Sequence, residues 1–287
     1  MVHVLLGYGY VAKYLALALS RAHKHVLAYS RTVSTTHLPD MHHQVIHDAS
    51  STLNLPKEYI LYYFIPPQFE HEKDVVLERY LSQLLPLPQK IIYLGSSGIY
   101  GDHQGHMVDE ESTLHLQTPR QMARFAAENQ LKTYAEKHAI PLARLRVAGI
   151  YGPNRLPIEA AAKQEPLIYP NEAPLINHIY VKDLAKILVK LGHDMTYHGI
   201  LNICDGDPQP MGSLQSKIAA YFNYPNSPYQ HFADIYAQAS PMKREFMLQN
   251  KRLCDKRLSQ LLQGNELARH HLDAGIKDCL NNLSNYT

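Results

Sequence analysis

The sequence predicts an α/β protein built on a doubly wound parallel sheet, with a smaller C-terminal α+β region on the substrate side. Three observations carry that prediction. The chain opens with a short apolar strand that empties into a glycine turn and a helix. Strand-length apolar runs then alternate with helical patterns. One of those runs, Tyr59–Ile65, is apolar throughout, as a central parallel strand covered on both faces must be.

In the opening stretch Val2, Val4, Leu5 and Leu6 form the strand, Gly7-Tyr8-Gly9-Tyr10-Val11-Ala12 the turn, and an apolar run with helical spacing follows. A dinucleotide-binding turn needs glycine at the tight bend, glycine where the backbone approaches a pyrophosphate, and a third small residue where helix meets strand. Gly7, Gly9 and Ala12 fill those places in order. The helix start offers N–H groups and the positive end of a dipole to a phosphate. Gly7, Tyr8, Gly9, Tyr10 and Val11 are therefore candidate cofactor-binding residues.

Composition narrows the partners. Lys+Arg number 28 against Asp+Glu 26 in 287 residues, so no strong field draws the chain to nucleic acid or a membrane surface. The 18 histidines are scattered without the paired spacing of a metal site, so no metal is expected. Cys204, Cys254 and Cys279 are odd in number and widely spaced, which suits a reducing compartment. No apolar run reaches the roughly 18 residues of a membrane span, and a cytoplasmic protein is expected.

Along the chain, His25–Tyr29 reads as the second strand, ending in Ser30-Arg31. An acidic residue there would accept the ribose hydroxyls of NAD, and a basic one suits the extra phosphate of NADP. With no Asp or Glu present, Ser30 and Arg31 favour NADP, the alternative being that Arg31 is a solvated loop residue. Gln44–His47 reads as the third strand with Asp48 at its edge, either beside an adenine or simply starting a turn. Tyr59–Ile65 is the fourth strand, and Ile65, Pro66 and Pro67 at its carboxyl end are placed to flank a cofactor. A helical pattern covers Glu70–Leu85, and Lys90–Leu94 is the fifth strand, running into Gly95-Ser96-Ser97-Gly98-Ile99-Tyr100-Gly101.

That last segment resembles the extended short-chain dehydrogenase/reductase superfamily, of the NAD(P)-dependent nucleoside-sugar epimerase/dehydratase type, whose fifth strand ends in Ser-Ser-x-x-Tyr-Gly. The resemblance implies a Rossmann fold and places Ser96 at the active-site Ser or Thr. A hydroxyl there can hydrogen-bond a substrate oxygen. Ser97 and Tyr100 fall on the substrate side. The family next supplies Tyr-x-x-x-Lys on a helix, trailed by Glu. Here Glu128 and the Ala126-Ala127 pair align, and Arg120 and Arg124 occupy the Tyr and Lys positions. A guanidinium cannot cycle a proton as a phenol does. Arg120 and Arg124, one turn apart, make either a fork for phosphate or carboxylate or an exposed basic face.

Pro141–Val147 is a sixth strand. Ala148–Arg155 after it resembles the family's Arg-x-x-x-Ile-Tyr-Gly-Pro-Gly block, which implies that Pro153 and Arg155 fall where the family lines cofactor and substrate, with Tyr151 on the cofactor side and Arg155 on the substrate side. Asn177–Ala185 resembles Asn-x-Ile-His-Val-x-Asp-Leu-Ala, with Tyr180 in place of His and Asp183 as the cap of the next helix. Gly199–Asp205 resembles the family's late strand, and two or three helices are expected beyond Met211. Asn250-Lys251-Arg252 resembles a substrate-side segment whose Arg252 either meets a diphosphate or sits on the surface.

The expected division is a cofactor-binding core over 1–155 and a mainly substrate-side region over 156–287, with segments near 175–205 returning to the core. The resemblance implies hydride chemistry on a carbonyl or hydroxyl of a small-molecule substrate, a nucleotide-sugar being the family's kind, with NADP or NAD as cofactor. The broken motif keeps a second expectation open, a non-catalytic NADP-binding sensor or scaffold. Homodimers built from paired helices are common in the superfamily, though no face for one is identified in this sequence.

Overall fold

A computed structural model describes residues 1–33, 38–46, 51–70, 73–263 and 269–281. The expected sheet has seven strands: β1 (Val2–Leu6), β2 (Val26–Ser30), β3 (Met41–Val45), β4 (Tyr59–Tyr63), β5 (Lys90–Leu94), β6 (Leu142–Val147) and β7 (Gly199–Ile203). Their spatial order is β7-β6-β5-β4-β1-β2-β3. From β3 across to β6 every neighbouring pair is parallel. The order reverses between β1 and β4, and in doubly wound sheets the ligand crevice lies beyond the strand ends at that switch. The helices among the described residues are α1 (Tyr10–Arg21), α2 (Val75–Leu81), α3 (Pro119–Lys137), α4 (Ile158–Ala162), α5 (Val181–His193), α6 (Ser213–Tyr221), α7 (Phe232–Gln238), α8 (Pro241–Met247), α9 (Lys256–Leu262) and α10 (Leu272–Asn281).

The chain forms two compact units, 1–99 with 119–146 and 181–201, and 100–118 with 147–180 and 202–287. In the first unit all five residues of β4 are buried. Val4, Leu6, Leu61 and Tyr63 share a core with Leu77 and Leu81 of α2 and Ala127 and Leu131 of α3. α1 buries Val11, Ala12, Leu15, Ala16 and Leu19, the stripe its spacing predicts, and packs against α5. The buried Lys90 ammonium donates to Leu191 O at 2.9 Å and to Asp194 O, which closes the C-terminal end of α5; burial pulls its pKa down to about 8.

Three expectations need correction. β3 lies at Met41–Val45, upstream of Gln44–His47, because its register is set by pairing with β2 rather than by its own mixed sequence; Asp48 lies outside the described residues. The helix expected over 70–85 is confined to α2, since Asp74 is buried and its carboxylate caps the amides of Val76 and Leu77, both at 3.1 Å. Phe69–Glu70 instead pairs antiparallel with Lys73–Asp74. Asp183 does not precede its helix: α5 starts at Val181, and Asp183 lies buried in the first turn, bonded to Lys186.

The second unit pairs short strands, 149–151 with 178–180 and 252–253 with 107–108 among them. Among the described residues five helices follow Met211 where two or three were expected, because turns restart the chain, as at α8, where Ser240 caps and Pro241 opens the helix. No helix among the described residues is long and apolar enough to cross a membrane.

One buried group in the first unit sets an acid limit. His3 on β1 is 2% exposed, with Nδ1 3.0 Å from the Tyr62 hydroxyl, and burial, then His193 and Lys24, lowers its pKa to about 4. Below its ordinary value near 6.5 the unfolded chain takes up a proton that the folded chain refuses until about 4, so stability falls with pH across that window. The loss approaches roughly 3 kcal/mol at the bottom. Denaturant unfolding at pH 7 and pH 4.5 should show it, and His3→Gln should lose less on acidification than the unsubstituted protein.

Candidate active site

In the first unit the turn after β1 is built around Gly7, which adopts φ +99°, and a Cβ there would lie 2.9 Å from Ile65 Cγ1 and 3.1 Å from its amide nitrogen. Only glycine satisfies both the conformation and the close approach of the chain after β4. The amides of Gly7 and Tyr8 both donate to Tyr29 O, and that of Gly9 to Gly7 O. Those bonds hold the bend and leave phosphate binding to the start of α1. α1 has no side-chain cap and no acidic residue in its first turn. Gly9 is extended at φ −100°, and a Cβ there would meet nothing among the described residues nearer than Gly7 O at 4.0 Å. The space over Gly9 is thus open, a cradle that a larger side chain would fill, and the residues present fit a pyrophosphate. Tyr10 stands half-buried at the helix start, and Val11 packs into the core.

Tyr8 does not present its ring to a ligand. It is buried against His43, ring centroids 5.3 Å apart, and burial raises its phenol pKa. At the end of β2, Ser30 Oγ donates to Thr32 O at 2.7 Å and lies 2.8 Å from His43 Nε2. Its one proton being spent on Thr32, Ser30 accepts from His43, whose pKa burial lowers. Sequence reasoning missed His43 because it lies on β3, whose register was misread. Arg31 is exposed directly after Ser30. Ile65 is half-buried against Gly7, while Pro66 and Pro67 follow with Pro66 exposed.

At the carboxyl end of β5, Ser96 Oγ accepts from Gly98 N at 3.1 Å, so its own proton can be donated to a ligand oxygen. Ser97 beside it is buried. Gln121 Nε2 donates to Gly98 O at 3.0 Å, tying the start of α3 to the Ser96 loop. α3 carries Arg120, exposed, and Arg124, half-buried. Burial, together with Arg120, lowers the Arg124 pKa, and the Tyr93 phenol opposes that shift. Glu128, one turn further, is buried and is bonded instead to Arg146 at 2.9 and 3.4 Å and to Arg144 at 3.5 Å, both on β6.

In the second unit two expected site tyrosines are core residues. Tyr100 is fully buried and donates to Asn202 Oδ1 at 2.7 Å, so its phenol is not offered to a substrate. Tyr151 stacks on Tyr180 at 5.4 Å, and its hydroxyl lies so close to α10 that a Cβ on Gly275 would be 2.0 Å from it; it faces the interior of this unit rather than a cofactor. Arg155 is exposed. Arg252 is exposed with Nε donating to Gly105 O at 2.8 Å, and its neighbour Lys251 is buried with Nζ on Gly101 O at 3.1 Å. No cluster of three or more metal-ligating side chains occurs among the described residues.

Residues 71–204 match the family described as NAD dependent epimerase/dehydratase family. Over that stretch the chain is similar to this family. The match starts beyond the glycine turn, which therefore stands as separate evidence. Among solved structures, a functionally unknown conserved protein from Silicibacter pomeroyi is 25% identical, with TM-score 0.81 and 98% of each chain covered. MoeE5, solved in complex with UDP-glucose and NAD, is 18% identical with TM-score 0.78, covering 100% of this chain and 99% of its own. UDP-glucuronic acid 4-epimerase from Bacillus cereus, in complex with NAD, is 16% identical with TM-score 0.75, covering 100% and 99%. At these last identities the likeness is one of fold. No curated protein sequence matches the chain.

Proposed function

We propose that this chain is an NAD(P)-dependent enzyme of the sugar-nucleotide epimerase/dehydratase type, acting on a hydroxyl or carbonyl carbon of a small-molecule substrate. The observation that carries the reading is the open cradle over Gly9 at the start of α1, beside the β1/β4 switch. A bound nicotinamide would supply the hydride acceptor or donor. The chain's own part is to hold a pyrophosphate at the first turn of α1, to place a ribose against Ser30 and Arg31, and to donate from Ser96 Oγ to the reacting oxygen. Ser96 orients and polarises that oxygen; with arginine at 120 and 124, the proton that the family's phenol would carry has to reach it from substrate or solvent. A second reading, a cofactor-binding sensor without turnover, is favoured by that same replacement.

Titration with NADPH and NADH, followed by turnover assays on UDP-sugars and simple carbonyl compounds, separates the two. Binding with turnover supports the enzyme, binding without turnover across the panel the sensor, and absence of binding removes both. Within the proposal NADP is the better-fitting cofactor, because Arg31 is exposed directly after β2, where its extra phosphate would lie, and the sequence has no Asp or Glu at that strand end. Arg31→Ala is expected to weaken NADPH about tenfold more than NADH, near 1.4 kcal/mol. Equal losses would remove the argument for NADP.

A further inference from the structure

Residues 100–118 link the Ser96 turn to α3, and two imidazoles hold this segment closed on itself within the second unit. The rings of His103 and His115 stack face to face, centroids 4.4 Å apart and planes 13° from parallel. A carbonyl only accepts, so His103 donates from Nε2 to Tyr100 O at 3.2 Å and His115 from Nδ1 to Asp102 O at 2.7 Å. The backbone closes the same gap. His115 N donates to Tyr100 O at 3.0 Å, and Gly101, at φ +74°, approaches so closely that a Cβ there would lie 2.2 Å from His115 O. The start of the segment is held in turn by Asn250, whose carbonyl accepts from His103 N and Gly105 N, both at 3.0 Å.

Positive charge already surrounds the stack. Lys251, 3% exposed, places its ammonium on Gly101 O at 3.1 Å, and Arg252 its guanidinium on Gly105 O at 2.8 Å. His106 adds a third imidazole, with Nδ1 on His103 O at 2.8 Å. The carboxylate among these groups, Asp102, has Oδ1 engaged by the amides of Gln104 and Asn250. Burial, then His115, lowers the His103 pKa; Lys251 adds to that shift, and the Tyr100 and Thr113 carbonyls oppose it. A neutral ring accommodates one charged ring against its face, but two imidazoliums at this spacing repel each other and the lysine. We propose that His103 and His115 form an acid-sensitive latch on segment 100–118, closed while the pair holds at most one extra proton and opened when solvent supplies the second. The opened segment takes up a proton that the closed one refuses, so closure weakens as pH falls below the ordinary imidazole value near 6.5. What the opening does to the Ser96 turn rests on the function proposed above; the latch itself does not.

The test is amide hydrogen exchange of the full chain, read by mass spectrometry at pH 7.5 and pH 5 and corrected for the intrinsic pH dependence of exchange. Peptides carrying the hydrogen-bonded amides of His103, Gly105 and His115 are expected to exchange about fivefold or more faster at pH 5. That increase is counted beyond any change in peptides of the fully buried β4, which report global opening such as His3 causes. His115→Phe keeps a ring on the stack and removes its proton, and should abolish most of the acid response. His106→Gln removes the neighbouring exposed imidazole and should retain it. Should His115→Phe loosen the segment at both pH values, the ring protons of the unsubstituted protein decide by nuclear magnetic resonance. His103 and His115 are then expected to titrate as a coupled pair, over a wider range than a single-site curve, and the His103 pKa should rise toward its ordinary value in His115→Gln. A response kept in full by His115→Phe or lost equally in His106→Gln, no acid opening beyond that of β4, or two independent single-site titrations overturns the latch.

Discussion

Gly9→Val is expected to lower cofactor affinity by at least about 100-fold, near 2.7 kcal/mol, while leaving the fold in place. The two halves of that expectation have separate causes. Gly9 is extended, a conformation any residue adopts, and an added Cβ has only Gly7 O at 4.0 Å, so the folded protein has room for the side chain. The room it takes is the open space at the start of α1 through which a pyrophosphate must pass to meet the first-turn amides. Gly7→Val is the contrasting substitution: at φ +99° with Ile65 at 2.9 Å it should destabilise the protein itself by about 2 kcal/mol or more. Fluorescence titration with NADPH and a thermal melt of each variant check both. Unchanged cofactor affinity in Gly9→Val would sink the assignment of the turn, and a large drop in its melting temperature would mean that the glycine serves packing instead.

What the sequence disclosed follows from how local each requirement is. The glycine turn and the apolar runs of β1, β4 and β5 were legible because their chemistry is written in adjacent residues: small residues at a bend, uninterrupted apolar side chains where both faces are covered. β3 was not, since Met41-His42-His43-Gln44-Val45 has no pattern of its own and takes its register from β2. The tyrosines misled for a related reason. Tyr100 and Tyr151 occur in phrases that resemble a site, but whether a phenol faces a ligand or a core is decided by distant residues, here Asn202 and Gly275.

The second large effect is expected at Glu128, a residue that in sequence serves only to align a motif. Glu128→Ala should cost about 3–5 kcal/mol, read from urea unfolding, without direct loss of any ligand contact. The carboxylate is 1% exposed and meets two arginines of β6, Arg146 itself being 4% exposed, so removing it leaves buried positive charge with little water to compensate. Position, not the pair alone, sets the size. Glu159 and Lys163 form an even closer i,i+4 pair, at 2.5 Å, in open solvent, where Glu159→Ala should change stability very little. Salt should separate the two kinds of pair further, since screening reaches exposed charges and not the one beneath α3. If the Glu128 penalty is that of stranded charge, replacing the pair together by Glu128→Leu and Arg146→Met should recover a large part of it, because apolar side chains of similar volume need no partner. A double variant as unstable as Glu128→Ala would instead mean that the carboxylate holds α3 on β6 by geometry, and that Arg120 and Arg124 owe their position to it.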